Sequence, residues 1–486
     1  MDPNEGQAIE VLLGRWADGP GPLHRKLADA LRQAIDRGHL AVGQRLPAER
    51  DLAARLSVSR STVVAAYDSL RADGLLQSRQ GSGTRVRGDA SRRGTARHIP
   101  LNPVYRSLIE DHRGVISLTA AAAPAHPRVA EALRVVTEDD AAKLLGTIGY
   151  FPAGLPELRE GIAELLTRDG LPTAVDQVVV TTGAQQAVNL AASVFVRPGD
   201  DVVVESPSLA GTLDIFRTRG GRFAVSPVDD DGVDVRIVRD IVARGRTGAI
   251  YVMPSYHNPT GVLMAERRRR ALAELAATEH VPIVEDNALE HAPLDDERVL
   301  PIAAFCPEDA PVVSAGSISK VVWAGLRVGW LRGPAALMAR VAELKAMSDL
   351  GSPLLEQAIA ARLIPDLHEM RADNRTMLRQ HLDVLTGLLA EHLPAWRWQL
   401  PRGGASLWVR LPAGTAMTFA QVALRHGVEI VPGEAMSATP DHRDHMRFPF
   451  AAPPPVLEET VRRLSAAWAA YTPRDEVRDT ARPVIV

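Results

Sequence analysis

The sequence predicts an α/β chain of two unequal parts, a small basic helical module in front of a large body built on a mainly parallel sheet. Three observations predict it. Residues 22–87 carry helical periodicity broken by short turns. From about residue 115, short Val/Ile-rich runs alternate with longer amphipathic stretches, the pattern of a parallel sheet covered by helices. The charge is uneven: residues 21–88 hold twelve Lys+Arg against six Asp+Glu, so the net −3 of the 486-residue chain leaves −9 for the remainder. A basic module on an acidic body directs only the front end toward a polyanion.

In the front module, Leu23, Leu27, Leu31 and Ile35 recur at four-residue spacing and predict a helix ending at Gly38. AERDLAARL predicts a short second helix with Leu52 and Leu56 inward. Ser57 to Ser59 form a turn, with Ser59 as N-cap of a third helix, RSTVVAAYDSLRAD, stopped by Gly74. Residues 75–77 and 84–86 read as two strands around the polar tip SRQGSG. Three helices and a β-wing make a winged helix-turn-helix. Arg60, Ser61 and Thr62 open the helix that would enter the major groove, where Arg forks onto guanine and hydroxyls reach bases or phosphates.

The motifs Leu46-Pro47-Ala48-Glu49-Arg50, Val58-Ser59-Arg60-Ser61-Thr62, Asp73-Gly74-Leu75-Leu76 and Gly81-Ser82-Gly83-Thr84 closely resemble the DNA-binding domain of GntR-type regulators. The resemblance implies contact with double-stranded operator DNA through Arg50, Ser59, Arg60, Ser61 and Gly81. Domain boundaries follow: the winged helix over 20–88, a linker rich in Arg, Gly and Ser over 89–114, the body over 115–472, and a charged mobile tail over 473–486. Within the linker, residues 104–109 could dock on the body.

In the body, QVVVTTG, DVVVESP, AIYVMPS, VPIVEDN, PVVSAGS and LRVGWLRG predict strands whose carboxyl ends carry the polar residues, where such sheets bind ligands. Gly183-Ala184-Gln185 is a strand–turn–helix start suited to a phosphate. Asn258, Asp286, Lys320 and Arg327 each follow a strand of their own. Lys320 is one of only four lysines, with Lys26, Lys143 and Lys345, against 52 arginines. Arg supplies charge and hydrogen bonds but does not readily lose its proton and attack a carbonyl. An aldehyde cofactor bearing a phosphate needs such an amine, an anion at its ring nitrogen, a donor to its phenolic oxygen and donors for its phosphate. The run Glu266-Arg267-Arg268-Arg269-Arg270 reads as an exposed helix start.

This ordered set resembles the fold-type I, aspartate-aminotransferase-like proteins that use pyridoxal 5'-phosphate. The resemblance implies that Lys320 forms the Schiff base (internal aldimine) and that Asp286 keeps the ring nitrogen protonated. Asn258 would serve the phenolic oxygen, and Gly183, Ala184, Gln185, Ser317, Ser319 and Arg327 the phosphate. Tyr150 would reach the phosphate of a neighbouring subunit, and Arg447 would hold an effector carboxylate. Two positions depart from a working transaminase. Leu209 stands where an aromatic residue usually stacks on the ring, and Ala288-Leu289 lack the usual tyrosine after the aspartate. Both argue against productive turnover, although a residual half-reaction is compatible with them.

The whole chain resembles the MocR-type (GabR-like) members of the GntR family. That implies a homodimeric transcriptional regulator sensing an amine or amino-acid effector, or pyridoxal phosphate itself. The alternatives are a functional aminotransferase with a vestigial DNA module, and a GntR-type regulator whose body has lost the cofactor. No apolar run approaches the roughly 18 residues a membrane span needs. The N-terminal residues lack the order of a signal peptide, and one cysteine, Cys306, makes neither a disulfide nor a metal site. A cytoplasmic location without metal or membrane is expected.

Overall fold

A computed structural model describes residues 9–17, 21–36, 38–79, 83–87, 114–295, 297 and 300–472. All of the linker except Gly114, the tail and the wing tip with Gly81 lie outside the described residues.

The front module folds around Leu27, Leu31, Leu52, Leu56, Val63, Tyr67 and Leu70, all fully buried. Its helices are α1 (Ile9–Leu13), α2 (Leu23–Asp36), α3 (Glu49–Arg55) and α4 (Arg60–Ala72), followed by the antiparallel wing β1 (Leu76–Arg79) and β2 (Gly83–Val86). Ser59 caps α4, its Oγ accepting the Thr62 N–H at 3.2 Å. Gly74 takes φ +73° just past the end of α4, which explains the stop there. The Tyr67 hydroxyl donates to the Pro47 carbonyl at 3.0 Å, tying α4 to the turn before α3. Ile9, Leu12, Leu13 and Trp16 of the α1 segment pack in the same core.

The body holds an eight-stranded sheet in the order β4-β11-β10-β9-β8-β5-β6-β7. Its members are β4 (Val178–Thr181), β5 (Asp201–Ser206), β6 (Arg222–Asp229), β7 (Gly232–Val233), β8 (Thr247–Val252), β9 (Ile283–Asp286), β10 (Val312–Ser317) and β11 (Gly329–Arg332). Five of them, β6-β5-β8-β9-β10, run parallel, whereas β11 is antiparallel to both β10 and β4. All six strands read from sequence are present. The strand β6, next to the two-residue edge strand β7, was not legible, because its half-exposed run RFAVSPVD lacks the apolar density of its buried neighbours.

The body is not one sheet throughout. A second, four-stranded antiparallel sheet contains β12 (Arg397–Trp398), β13 (Ser406–Arg410), β15 (Val431–Pro432) and β16 (His445–Pro449). Beside it, β3 (Ile116–Ser117) pairs in parallel with β14 (Val428–Glu429). The helices Leu367–His392, Ala416–Arg425 and Pro454–Ala470 pack on this sheet around Trp396, Phe419, Phe448 and Phe450. The arginine run is also corrected. Arg267 and Arg270 are exposed, but Arg269 is fully buried and donates to the Met264 and Pro254 carbonyls at 3.0 and 2.6 Å.

Candidate cofactor, effector and DNA sites

The antiparallel insertion of β11 shapes the body's site. Residues at the carboxyl ends of β4, β9 and β10 meet a residue just before the start of β11, because that strand enters the sheet from the same edge. Asp286 is the last residue of β9 and Ser317 the last of β10; Gly183 follows β4 by two residues and Arg327 precedes β11 by two.

Gly183 has φ +99°, and a Cβ there would lie 2.7 Å from an Arg327 terminal nitrogen. Only glycine leaves the helix Ala184–Phe195 open at its N-terminus with the guanidinium alongside. Arg327 donates to the Thr182 carbonyl at 2.6 Å. Ser317 Oγ lies 2.9 Å from Ser319 Oγ and accepts the Ser319 N–H at 3.1 Å. Gln185 Nε2 lies 3.4 Å from the Gly211 carbonyl.

Asp286 is 3% exposed. Its Oδ1 accepts the Ala288 N–H at 3.0 Å, and its Oδ2 accepts the Tyr251 hydroxyl at 2.8 Å. Burial raises its carboxyl above the usual range, while the two donors and the nearby Lys320 pull the other way. Lys320 donates to the Ala121 carbonyl at 2.8 Å. Enclosure first, then the charges of Arg447 and Arg327, press its ammonium down to about 8. Arg447 is 3% exposed, donates to the Thr119 carbonyl and leaves its Nε without a partner; burial lowers it to about 10. The Oδ1 of Asn258 and the Oγ of Ser208 are likewise buried without partners. These unsatisfied groups, the glycine cradle, the amine titrating at about 8 and the buried carboxylate form a set of donors and acceptors that fits a phosphorylated aldehyde carrying a ring nitrogen.

Two family models match the chain: bacterial regulatory proteins of the gntR family over residues 23–86, and aminotransferase class I and II over residues 119–464. The HTH-type transcriptional regulator YisV of Bacillus subtilis is 31% identical over 409 residues, covering 80% of this chain and 84% of its own. The chain belongs to the MocR-type regulators of the gntR family. The probable rhizopine catabolism regulatory protein MocR of Rhizobium meliloti shares 29% identity over 79% of this chain and 80% of its own. The α-aminoadipate aminotransferase LysN of Thermus thermophilus, solved with N-(5'-phosphopyridoxyl)-L-leucine, superposes with a TM-score of 0.68 at 27% identity, covering 76% of this chain and 94% of that one. The cofactor of this MocR-type fold is pyridoxal phosphate.

Tyr150 stands apart from the other candidates, 61% exposed on the surface. Leu145, Ile148, Met347, Leu350 and Leu355 are exposed by 51–85%. Gly351 lies against Phe151 so closely that a Cβ would be 2.8 Å from the Phe151 carbonyl oxygen, which brings the segment carrying Leu350 to the segment carrying Tyr150. Leu209 packs its side chain into the core cluster beside the site, and Leu289 is buried.

In the module, Arg50, Ser59, Arg60 and Ser61 are all exposed. Ser59 Oγ sits 2.8 Å from both Ser61 Oγ and Thr62 Oγ1, and Arg60 lies 3.8 Å from Glu49. Sequence reasoning missed Tyr251, Thr212, and the buried pair Glu205 and His257, whose Oε2 and Nε2 are 3.5 Å apart. The signal for Tyr251 was available, since a phenol inside the apolar strand AIYVMPS needs a hydrogen-bond partner.

Proposed function

We propose that this MocR-type regulator binds operator DNA through α4 and the wing and senses a small amino acid through pyridoxal phosphate held at Lys320. Bound pyridoxal phosphate supplies an aldehyde and an electron-withdrawing ring. Lys320 would hold the aldehyde; Gly183, Ala184, Gln185, Ser317, Ser319 and Arg327 would hold the phosphate; Asn258 would serve the phenolic oxygen and Asp286 the ring nitrogen.

The observation that carries the effector class is Arg447. A fully enclosed guanidinium that has, among the described residues, only a backbone carbonyl as partner and an orphaned Nε is costly unless an anion joins it. A carboxylate there, with an amine toward the cofactor, describes an amino acid rather than a plain amine. With the cofactor bound, that amine would compete with Lys320 for the aldehyde, and release of Lys320 would alter the contacts at the strand ends and the hold on the DNA module. The exposed apolar surface around Tyr150 supports a homodimer that brings Tyr150 to the partner's phosphate site and presents two DNA modules to two half-sites. Regulation of transcription places the protein in the cytoplasm. Leu209, an aliphatic contact where the ring is usually stacked, supports a sensor in preference to an enzyme.

The test selects duplexes from a random pool with the full chain and measures their binding by fluorescence anisotropy, with pyridoxal phosphate and a panel of amino acids and their decarboxylated amines. Affinity that changes with an amino acid but not with its amine supports the reading. Affinity indifferent to cofactor and to every amine contradicts it.

A further inference from the structure

Tyr251 lies on β8, one strand away from Asp286 on β9, and its side chain is fully buried. Its hydroxyl donates to Asp286 Oδ2 at 2.8 Å and lies 3.2 Å from Thr212 Oγ1, which donates to it. A phenol has one proton, so the bond from Thr212 leaves that proton committed to the carboxylate. The ring is fixed from the side by Phe216, edge to face at 5.7 Å. Thr212 stands in the first turn of the helix Ala210–Thr218, three residues beyond Leu209. The opposite oxygen of Asp286 is satisfied by the Ala288 N–H. Each carboxylate oxygen therefore has one protein donor, and a lone pair remains for a ring N–H. Tyr251 resists ionisation, its phenol pushed well above the usual value by burial and by Asp286 itself, so it stays a donor.

We propose that Tyr251 is a positioning residue for the cofactor: through the chain Thr212–Tyr251–Asp286 it holds the Asp286 carboxylate ionised and aimed at the pyridine nitrogen. This rests on the cofactor reading above. The tyrosine that the sequence lacks after the aspartate would have served the phenolic oxygen; Tyr251 serves the other end of the ring from a neighbouring strand. A buried carboxylate that loses a charge-assisted donor is left with an unsatisfied oxygen. It then takes up a proton more readily and holds the ring nitrogen's proton less firmly.

The experiment titrates heavy-nitrogen-labelled pyridoxal phosphate bound to the full chain by NMR, beside visible-band measurements of cofactor affinity. It compares wild type with Tyr251→Phe, Thr212→Val and Phe216→Leu. Tyr251→Phe should release the ring proton at lower pH and weaken cofactor binding by about tenfold. Thr212→Val should move both readouts in the same direction by less. Phe216→Leu perturbs the same packing without touching a hydrogen bond and should leave the ring titration unchanged. A wild-type titration curve in Tyr251→Phe, or an equal shift in Phe216→Leu, overturns the proposal. If Tyr251→Phe fails to fold, Thr212→Val decides: no shift there overturns it too. A wild type that never captures the cofactor overturns the cofactor reading and this inference together, and is recognised because no variant is needed to see it.

Discussion

In the proposed cofactor site Lys320 would carry the chemistry, because its surroundings withhold water and add positive charge. An exposed lysine ammonium titrates near 10.4, whereas this one is pressed to about 8. The amine is therefore the scarce form below pH 8 and the dominant form above it. The rate of cofactor capture should rise about tenfold per pH unit from pH 6 and level off above about pH 8, read by stopped-flow absorbance. A midpoint near that of ordinary lysine would show that the enclosure is ineffective. Arg447 makes a separate prediction. Arg447→Gln should leave cofactor binding intact while weakening a carboxylate-bearing effector by about 3 kcal/mol, with its decarboxylated amine unaffected. Titration of the visible band with both ligands reads the difference. These residues were legible because lysine is rare here and because Asn258, Asp286 and Lys320 fall in order at or after separate strands; Arg327 does not follow a strand of its own but precedes β11. Tyr251 and Thr212 were not, since their role depends on strand adjacency and helix placement that spacing does not encode.

At the scale of elements, β11 decides the site. Its sequence LRVGWLRG reads as a strand, but nothing in its composition states that it enters the sheet against its neighbours and delivers Arg327 to the edge where Gly183 and Ser317 wait. Gly183→Ala tests that closeness, because the added methyl has no room beside Arg327 and the backbone at φ +99° disfavours it. Pyridoxal phosphate affinity should fall sharply while the strands persist by circular dichroism. The first-module helices were legible from caps and four-residue spacing, and their ends fall within a residue or two of the sequence reading. Ser59→Ala should cost about 1 kcal/mol by removing the cap of α4, seen as faster amide exchange at its first turn and weaker operator binding. The second sheet was illegible. Its strands are two to five residues long and carry Trp and Arg where alternation would have announced them.

At the scale of the whole molecule, the DNA module does not hang free of the body. Arg425, at the end of the helix Ala416–Arg425, donates to the Leu56 and Ser57 carbonyls at 3.3 and 3.2 Å, in the turn that leads to the recognition helix. One turn earlier on the same helix, Gln421 accepts the Trp16 indole N–H at 3.1 Å. That helix packs on β15, the neighbour of the strand that bears Arg447, so the sheet holding Arg447 and the turn before α4 share one support. Arg425→Ala should change operator affinity or its effector dependence without altering the cofactor spectrum. The charge split foretold a DNA-facing front end but not this contact, which joins residues some 370 positions apart. Replacing Ile148, 84% exposed, by Glu should yield monomers in sedimentation and weaken cofactor binding, because the proposed partner Tyr150 is withdrawn.

The most direct test of a cofactor-reading regulator is the visible absorption spectrum of the purified full chain with pyridoxal phosphate, wild type beside Lys320→Ala, before and after borohydride. A yellow band in wild type, absent from Lys320→Ala and fixed covalently by the reductant, is the predicted result. No band in either protein, or an equal band in both, would contradict the central role given to Lys320.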